Sequence, residues 1–145
     1  MGGDNAPEEV VAGAVAAAAS HDIQIVLTGR ASQLRVLLAT HQPTGGGAEP
    51  GSARAGRPGQ SGRIRIAVAD DSLAMDEGAL ATWRRPRSSV AVACQLIRRG
   101  QAQAVVSAGS TGGIVTTARL RLRSLPGVMR PGLAVVLPTQ RRPAV

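Results

Sequence analysis

Ser107-Ala-Gly-Ser-Thr-Gly-Gly113 decides how this chain folds. It follows an apolar run, Ala102–Val106, and precedes a helical pattern from Ile114 to Leu122. That order predicts a strand, a glycine-rich loop and a helix, the repeating unit of a parallel α/β sheet. The loop turns backbone N–H groups and the positive end of a helix towards one point, which suits an anion such as phosphate. The alternative is an ordinary helix start with Ser110 or Thr111 as N-cap.

The loop is not a nucleotide-binding signature of the usual kind. It lacks the lysine of a P-loop and the G-x-G-x-x-G spacing of a dinucleotide fold. ATP or NAD binding is therefore not implied, and we expect no cofactor.

A second glycine-rich segment opens the chain, Met1-Gly-Gly-Asp-Asn-Ala-Pro7. Pro7 suits the first turn of a helix, which we expect over Val10–Ala19, and Ile23–Leu27 predicts a buried strand. A Gly-Gly turn that opens a helix normally follows a strand. Since none precedes it here, we expect the chain to lack the first strand of its sheet.

The middle of the chain continues the alternation of helix and strand. Helical spacing of leucines predicts a helix over Arg30–Thr40, and alternation predicts a strand over Arg63–Val68. Between them, Thr40–Gly62 is rich in Gly and Pro and predicts a disordered surface insertion within one domain. Met75–Trp83 predicts a short helix or an ordered loop, and Gly132–Leu137 a last strand.

Three arginines, Arg84, Arg85 and Arg87, stand just before a predicted helix. Ser88 or Ser89 is the expected N-cap, and the helix is expected to run through Ile97. Arg98 and Arg99 lie at its negative end, and Gly100 is its expected terminator. The basic turn beside a helix start is a second candidate anion site. The alternative is a solvated basic turn.

Composition narrows the class of protein. The chain has 145 residues, room for one domain, and a net charge of +8 in which every basic residue is arginine. With one Trp and no Phe or Tyr, it lacks the stacking residues of single-strand binders, so we expect no nucleic-acid partner. A basic face fits phosphate or an acidic protein equally well. The apolar pattern around Cys94, the one cysteine, predicts a buried thiol, and no set of metal ligands is visible. Because no leader or membrane span is indicated, we expect a cytoplasmic protein.

Several short motifs together resemble a known family. Their order is that of the phosphate acyltransferases of phospholipid synthesis, the PlsX family, and the matching residues are Met1-Gly-Gly-Asp-Asn-Ala-Pro7, Met75-Asp76, Ser88-Ser89, Ser107-Ala-Gly-Ser-Thr-Gly112, Arg130-Pro131 and Leu137-Pro138. The resemblance covers nearly the whole chain outside Thr40–Gly62. It departs from the family's usual residues at Trp83, Val90 and Ser110, which bears on individual roles more than on membership.

The resemblance implies a Rossmann-like three-layer α/β/α fold with a mostly parallel sheet, similar to isocitrate and isopropylmalate dehydrogenases. It implies transfer of a fatty acyl group from acyl carrier protein to inorganic phosphate, giving acyl phosphate. Family members are longer, so we expect this chain, residues 1–145, to be the N-terminal part of a single domain. For the full-length protein the resemblance implies a homodimer, with peripheral membrane association through the absent half.

Attack of phosphate on a thioester needs a held phosphate, donors for the oxyanion and a proton for the leaving thiolate. The expected phosphate ligands are Gly2, Gly3, Arg84, Arg85, Ser88, Ser107, Gly109, Ser110, Thr111 and Gly112. Asp4 and Asn5 are the expected catalytic residues, with ordinary turn or capping roles as the alternative. Two rival interpretations stay open: a phosphate- or nucleotide-binding module with another substrate, and an inactive fragment.

Overall fold

The fold is an α/β arrangement of four helices and two strands within the described residues, which are 3–41, 63–72, 84–132 and 134 of a computed structural model. The elements follow one another in the order α1 (Glu8–Ser20), β1 (Ile25–Gly29), α2 (Ala31–His41), β2 (Ile64–Val68), α3 (Ser89–Arg98) and α4 (Thr111–Leu122). Helices thus alternate with strands in the first half, as the hydrophobic pattern predicts.

The two strands form a parallel pair. Ile25 lies opposite Ile64 and Gly29 opposite Val68, so the strands are in register over their whole length. Parallel strands need a crossover connection, and α2 supplies it between β1 and β2. Both strands therefore end at the same edge of the sheet, where Ala69 donates its N–H to the carbonyl of Gly29 at 2.9 Å.

The first hydrophobic core lies between one face of this sheet and the helices α1 and α2. Val11, Leu27 and Leu34 are its buried centre. Partly buried apolar residues pack around them: Ala14, Val15, Ile25, Leu37, Leu38, Ile64 and Ile66. Because Ile25, Leu27, Ile64 and Ile66 alternate along their strands, they share that face. Burying a side chain such as Leu34 contributes about 1.5–3 kcal/mol.

Helix α3 packs against β1, β2 and α4 and builds a second buried region. Its buried residues include Val90, Ala91 and Cys94. The predicted punctuation of this helix is confirmed. Ser88 is the N-cap, with its Oγ accepting from the N–H of Ala91 at 3.4 Å, and Gly100 follows the helix with φ +70°. Only glycine adopts that φ without strain, which explains why the helix ends there.

One predicted strand does not form among the described residues. Residues 102–106 are irregular, they pair with neither β1 nor β2, and Val106 is 96% exposed. The apolar pattern of Ala102–Val106 was sufficient to predict an extended segment, but a strand exists only through hydrogen bonds to a neighbour. No described strand occupies that neighbouring position.

Other boundaries differ by a few residues. The predicted insertion begins too early, because Thr40 and His41 belong to the last turn of α2, where Thr40 Oγ1 donates to the carbonyl of Val36 at 3.1 Å. The rest of the insertion, residues 42–62, and the segment Met75–Trp83 lie outside the described residues. The predicted last strand lies mostly outside them as well, and its first residue, Gly132, is exposed and irregular.

Candidate functional site

The Ser107–Gly113 loop leads into α4, as expected of an anion site, but no strand precedes it among the described residues. Ser110 is the N-cap, with its Oγ 3.5 Å from the N–H of Gly113, and its carbonyl accepts from Ile114 at 3.0 Å. Ser107 Oγ accepts from the N–H of Gly109 at 3.2 Å. The two serine oxygens therefore hold the loop's own backbone, and each hydroxyl keeps its proton for a ligand.

Two backbone donors of this loop remain available. Within the described part of the chain, the N–H groups of Thr111 and Gly112 make no hydrogen bond, and both residues are exposed. They are the first N–H groups of a 12-residue helix, where the helix dipole favours negative charge. The geometry supplies donors for an anion without any side chain having to move.

A buried threonine fixes this first turn from behind. Thr117 is 0% exposed, and its Oγ1 donates to the carbonyl of Gly113 at 2.6 Å. Thr117 could not be recognised from the sequence, since a threonine inside a helix has no distinctive pattern. It lies four residues after Gly113, the spacing at which a threonine hydroxyl can bond a helical carbonyl.

The N-terminal glycine-rich turn lies against the loop. Gly3 has φ +121°, and a Cβ at that position would be 3.1 Å from the Cβ of Ala108. Asp4 and Asn5 follow directly and are exposed, while the carbonyl of Asn5 accepts from Glu9 at 3.2 Å. The structure therefore brings the two expected candidates for catalysis, Asp4 and Asn5, to within two residues of a contact with the loop. Gly2 lies outside the described residues.

The Arg84–Ser88 turn is organised by two aspartates after β2. Arg85 Nη1 donates to Asp71 Oδ1 at 3.0 Å, and Arg87 Nη2 pairs with Asp70 Oδ2 at 2.8 Å. Arg84 is exposed and forms no ion pair within the described ranges. Among the described residues, Arg84 is thus the arginine of this turn whose charge no aspartate neutralises.

Ser88 is less accessible than a ligand residue would be. It is 0% exposed, and its hydroxyl caps α3. The structure therefore gives this side chain a structural task, although Ser88 remains next to the arginine turn. Asp70 and Asp71 were not among the site residues predicted from the sequence. Their position directly after the carboxyl end of β2 could have indicated them, because parallel sheets bind ligands at that edge.

The arginine turn and the Ser107–Gly113 loop are joined only indirectly. Arg121 Nη2 donates to the carbonyl of Pro86 at 3.3 Å, and α3 packs along α4. Arg121 is ten residues beyond Thr111, which corresponds to about 15 Å of helix axis. No hydrogen bond or ion pair among the described residues connects Arg84 directly to the loop.

Cys94 has no features of a reactive thiol. It is fully buried in α3, and burial raises the pKa of its thiol, while the charge of Arg121 acts in the opposite direction. A protonated, inaccessible thiol is neither a nucleophile nor a metal ligand. Across the described ranges, no three His, Cys, Asp or Glu side chains come together as a metal site would require. None of the helices in those ranges has the length and apolar character to cross a membrane.

Comparison with known proteins gives one consistent result. The whole chain, residues 1–145, matches the family described as "Fatty acid synthesis protein". The phosphate acyltransferase of Thermobifida fusca is 52% identical over all of this chain and 36% of its own length. The phosphate acyltransferases of Moorella thermoacetica and Synechococcus elongatus are 40% and 35% identical over 99% and 96% of this chain. The chain spans a little over a third of the length of these relatives.

Proposed function

The chain belongs to the fatty acid synthesis protein family, and on that premise we propose that it forms the N-terminal part of a phosphate acyltransferase. The proposed reaction transfers a fatty acyl group from acyl carrier protein to inorganic phosphate and gives acyl phosphate. The observation that carries the proposal is the approach of Gly3 to Ala108, because Asp4 and Asn5 follow Gly3 directly and the loop has available backbone donors.

In the proposed mechanism the Ser107–Gly113 loop holds phosphate. The N–H groups of Thr111 and Gly112 and the hydroxyls of Ser107 and Ser110 donate to its oxygens, and the α4 dipole favours the charge. A phosphate oxygen then attacks the thioester carbonyl, the C–S bond breaks and the thiolate leaves with a proton. Asn5 orients the attacking phosphate, and Asp4 orients it or moves that proton.

Arg84 is the proposed counter-charge, since Arg85 and Arg87 are each paired with an aspartate. It is exposed and on a turn, so its guanidinium is accessible to a phosphate anion. The acidic surface of an acyl carrier protein is attracted by the same basic turn, which supports a protein partner of that kind.

The proposed complete fold is a three-layer Rossmann-like α/β/α domain of the isocitrate dehydrogenase type. The parallel pair β1–β2, with helices packed on it, supports this architecture. We propose that the full-length protein is a homodimer and that it acts in the cytoplasm.

Activity is best tested in a chimera in which this chain replaces the matching third of the Thermobifida fusca relative. We expect phosphate-dependent release of carrier-protein thiol by the chimera and none by the 145-residue chain alone, which has only a third of the relatives' length. A chimera without turnover would contradict the function, and turnover by the chain alone would contradict its incompleteness.

The phosphate site is tested by Gly112→Val in the chimera. A Cβ at Gly112 meets only Ser110 Oγ, at 3.9 Å, so the fold tolerates the larger residue while a bound anion is crowded. We expect the KM for phosphate to rise at least tenfold with little change in melting temperature, and Arg84→Ala to weaken phosphate use by roughly 1.5–3 kcal/mol. If both variants keep the original phosphate dependence, the loop is only a helix start.

A further inference from the structure

Asp71 makes an unusual number of contacts for a residue in a connecting segment. Its Oδ1 accepts from the N–H of Ser72 at 2.9 Å and from Arg85 Nη1 at 3.0 Å, and its carbonyl accepts from the N–H of Ser89 at 2.9 Å. Arg85 Nη1 also donates to the carbonyl of Ser72 at 2.8 Å. Through its side chain and its backbone, Asp71 therefore joins the end of β2 to the start of α3.

The residues that Asp71 holds are themselves buried. Ser88, which forms a parallel bridge with Asp71, is 0% exposed, and Ser89 is 3% exposed. The hydroxyl of Ser88 caps the same helix start. A shift of Asp71 therefore has to move the whole turn that carries Arg84.

The neighbouring pair Asp70–Arg87 has a different character. Its side chains are 57% and 77% exposed, whereas those of Asp71 and Arg85 are 40% and 37% exposed. An exposed ion pair of that kind contributes little to structure, because water competes for both charges. Asp70 consequently offers a control that removes the same charge one residue away.

We propose that Asp71 is a positioning residue of the anion site: through its ion pair with Arg85, it holds the Arg84–Ser88 turn so that Arg84 meets the phosphate. The inference rests on the proposed function, and it gives Arg85 a structural task in place of the phosphate-binding one that the sequence suggests. Asp71 itself touches neither substrate.

The sign of one kinetic effect separates positioning from simple electrostatics. A carboxylate near an anion site repels the anion, so its removal alone lowers the KM for phosphate. Removal of Asp71 also takes one partner from Arg85, which keeps its hydrogen bond to the Ser72 carbonyl. If Arg85 were a phosphate ligand held back by Asp71, the KM would fall further. Only a loss of the geometry of the Arg84–Ser88 turn raises the KM for phosphate.

The kinetic test compares Asp71→Asn with Asp70→Asn in the chimera, at a temperature well below both melting transitions. We expect Asp71→Asn to raise the KM for phosphate on the order of tenfold, the equivalent of one lost hydrogen bond to a charged group. The KM for the acyl carrier protein thioester should change less, and Asp70→Asn should leave the KM for phosphate equal or lower. An unchanged or lower KM in Asp71→Asn overturns the proposal.

Two further variants guard against a failure of Asp71→Asn to fold. Arg85→Lys keeps a charged donor for Asp71 Oδ1 and the Ser72 carbonyl, whereas Arg85→Gln loses the charge. We expect the lysine variant to restore most of the phosphate affinity that the glutamine variant lacks. Equal phosphate KM values in the two variants would contradict a role of the Asp71–Arg85 ion pair in phosphate binding.

Hydrogen exchange on the 145-residue chain gives a measurement that needs no activity. We expect Asp71→Asn to speed exchange at the amides of Ser89 and Ala91, whereas Asp22→Asn, which breaks the distant pair with Arg63, should not. If the unsubstituted chimera shows no phosphate-dependent turnover, the proposed function fails. The exchange comparison separately decides whether Asp71 holds the start of α3: faster exchange shows that it does, and equal exchange overturns the proposal.

Discussion

Gly3→Ala tests the contact that brings the two glycine-rich segments together. The φ of +121° at Gly3 is a conformation that a residue with a Cβ rarely adopts, at a cost of roughly 1–2 kcal/mol. The added Cβ would also lie 3.1 Å from the Cβ of Ala108, which forces one backbone to move. Overpacking of this size costs typically about 1–3 kcal/mol, so a total loss of about 2–5 kcal/mol is expected if the turn stays docked.

Gly13→Ala is the matched control. Gly13 is exposed within α1, and a Cβ there meets nothing within 4 Å. Alanine is the better helix former by about 1 kcal/mol. The same chemical change should therefore stabilise the chain at Gly13 and destabilise it at Gly3.

The assay is denaturant unfolding of the 145-residue chain, together with hydrogen exchange over Ser107–Gly113. Because Gly3 lies near the chain end, the turn can also relieve the clash by detaching, and faster exchange of the loop would reveal that outcome. If Gly3→Ala changes the unfolding free energy by less than about 0.5 kcal/mol and leaves loop exchange unchanged, the contact does not hold the site together.

Three further changes probe the helices around the site. Thr117→Val should lower the unfolding free energy by about 0.5–1.5 kcal/mol, because the carbonyl of Gly113 loses its buried hydroxyl donor and keeps only its helical backbone partner; an unchanged denaturation midpoint would contradict this. Burial raises the pKa of Cys94, so the folded thiol stays protonated where the unfolded one ionises; stability is constant below the ordinary thiol pKa and falls above it. Unfolding at about pH 7 and about pH 10 should show that fall, and Cys94→Ala should lack it. Arg123 has φ +71°, so Arg123→Gly should raise the melting temperature, by the equivalent of about 1 kcal/mol; a lower value would show that the side chain packs.

Local features of this fold could be predicted from the sequence. Ser88 and Gly100 mark the ends of α3 because capping depends on residues a few positions apart. The helices α1 and α2 and the strands β1 and β2 fall within a few residues of their predicted ranges for the same reason. The Ser107–Gly113 loop was likewise visible as a helix start.

Contacts between distant parts of the chain could not be predicted. Asp71 and Arg85 are 14 residues apart across a segment without a clear pattern, so nothing local pairs them. The contact of Gly3 with Ala108 depends on the packing of the whole chain. The strand expected over Ala102–Val106 failed for a related reason, because an apolar run fixes an extended tendency but not a partner.

The most direct test of the proposed reaction follows the phosphate itself. The chimera with the Thermobifida fusca relative is incubated with isotopically labelled inorganic phosphate and the acyl thioester of acyl carrier protein. We expect label to appear in an organic-soluble acyl phosphate, in equal amount to the thiol released, and Gly112→Val to reduce both together at limiting phosphate. Release of thiol without label in the acyl product would identify a hydrolase and contradict phosphate as the acceptor.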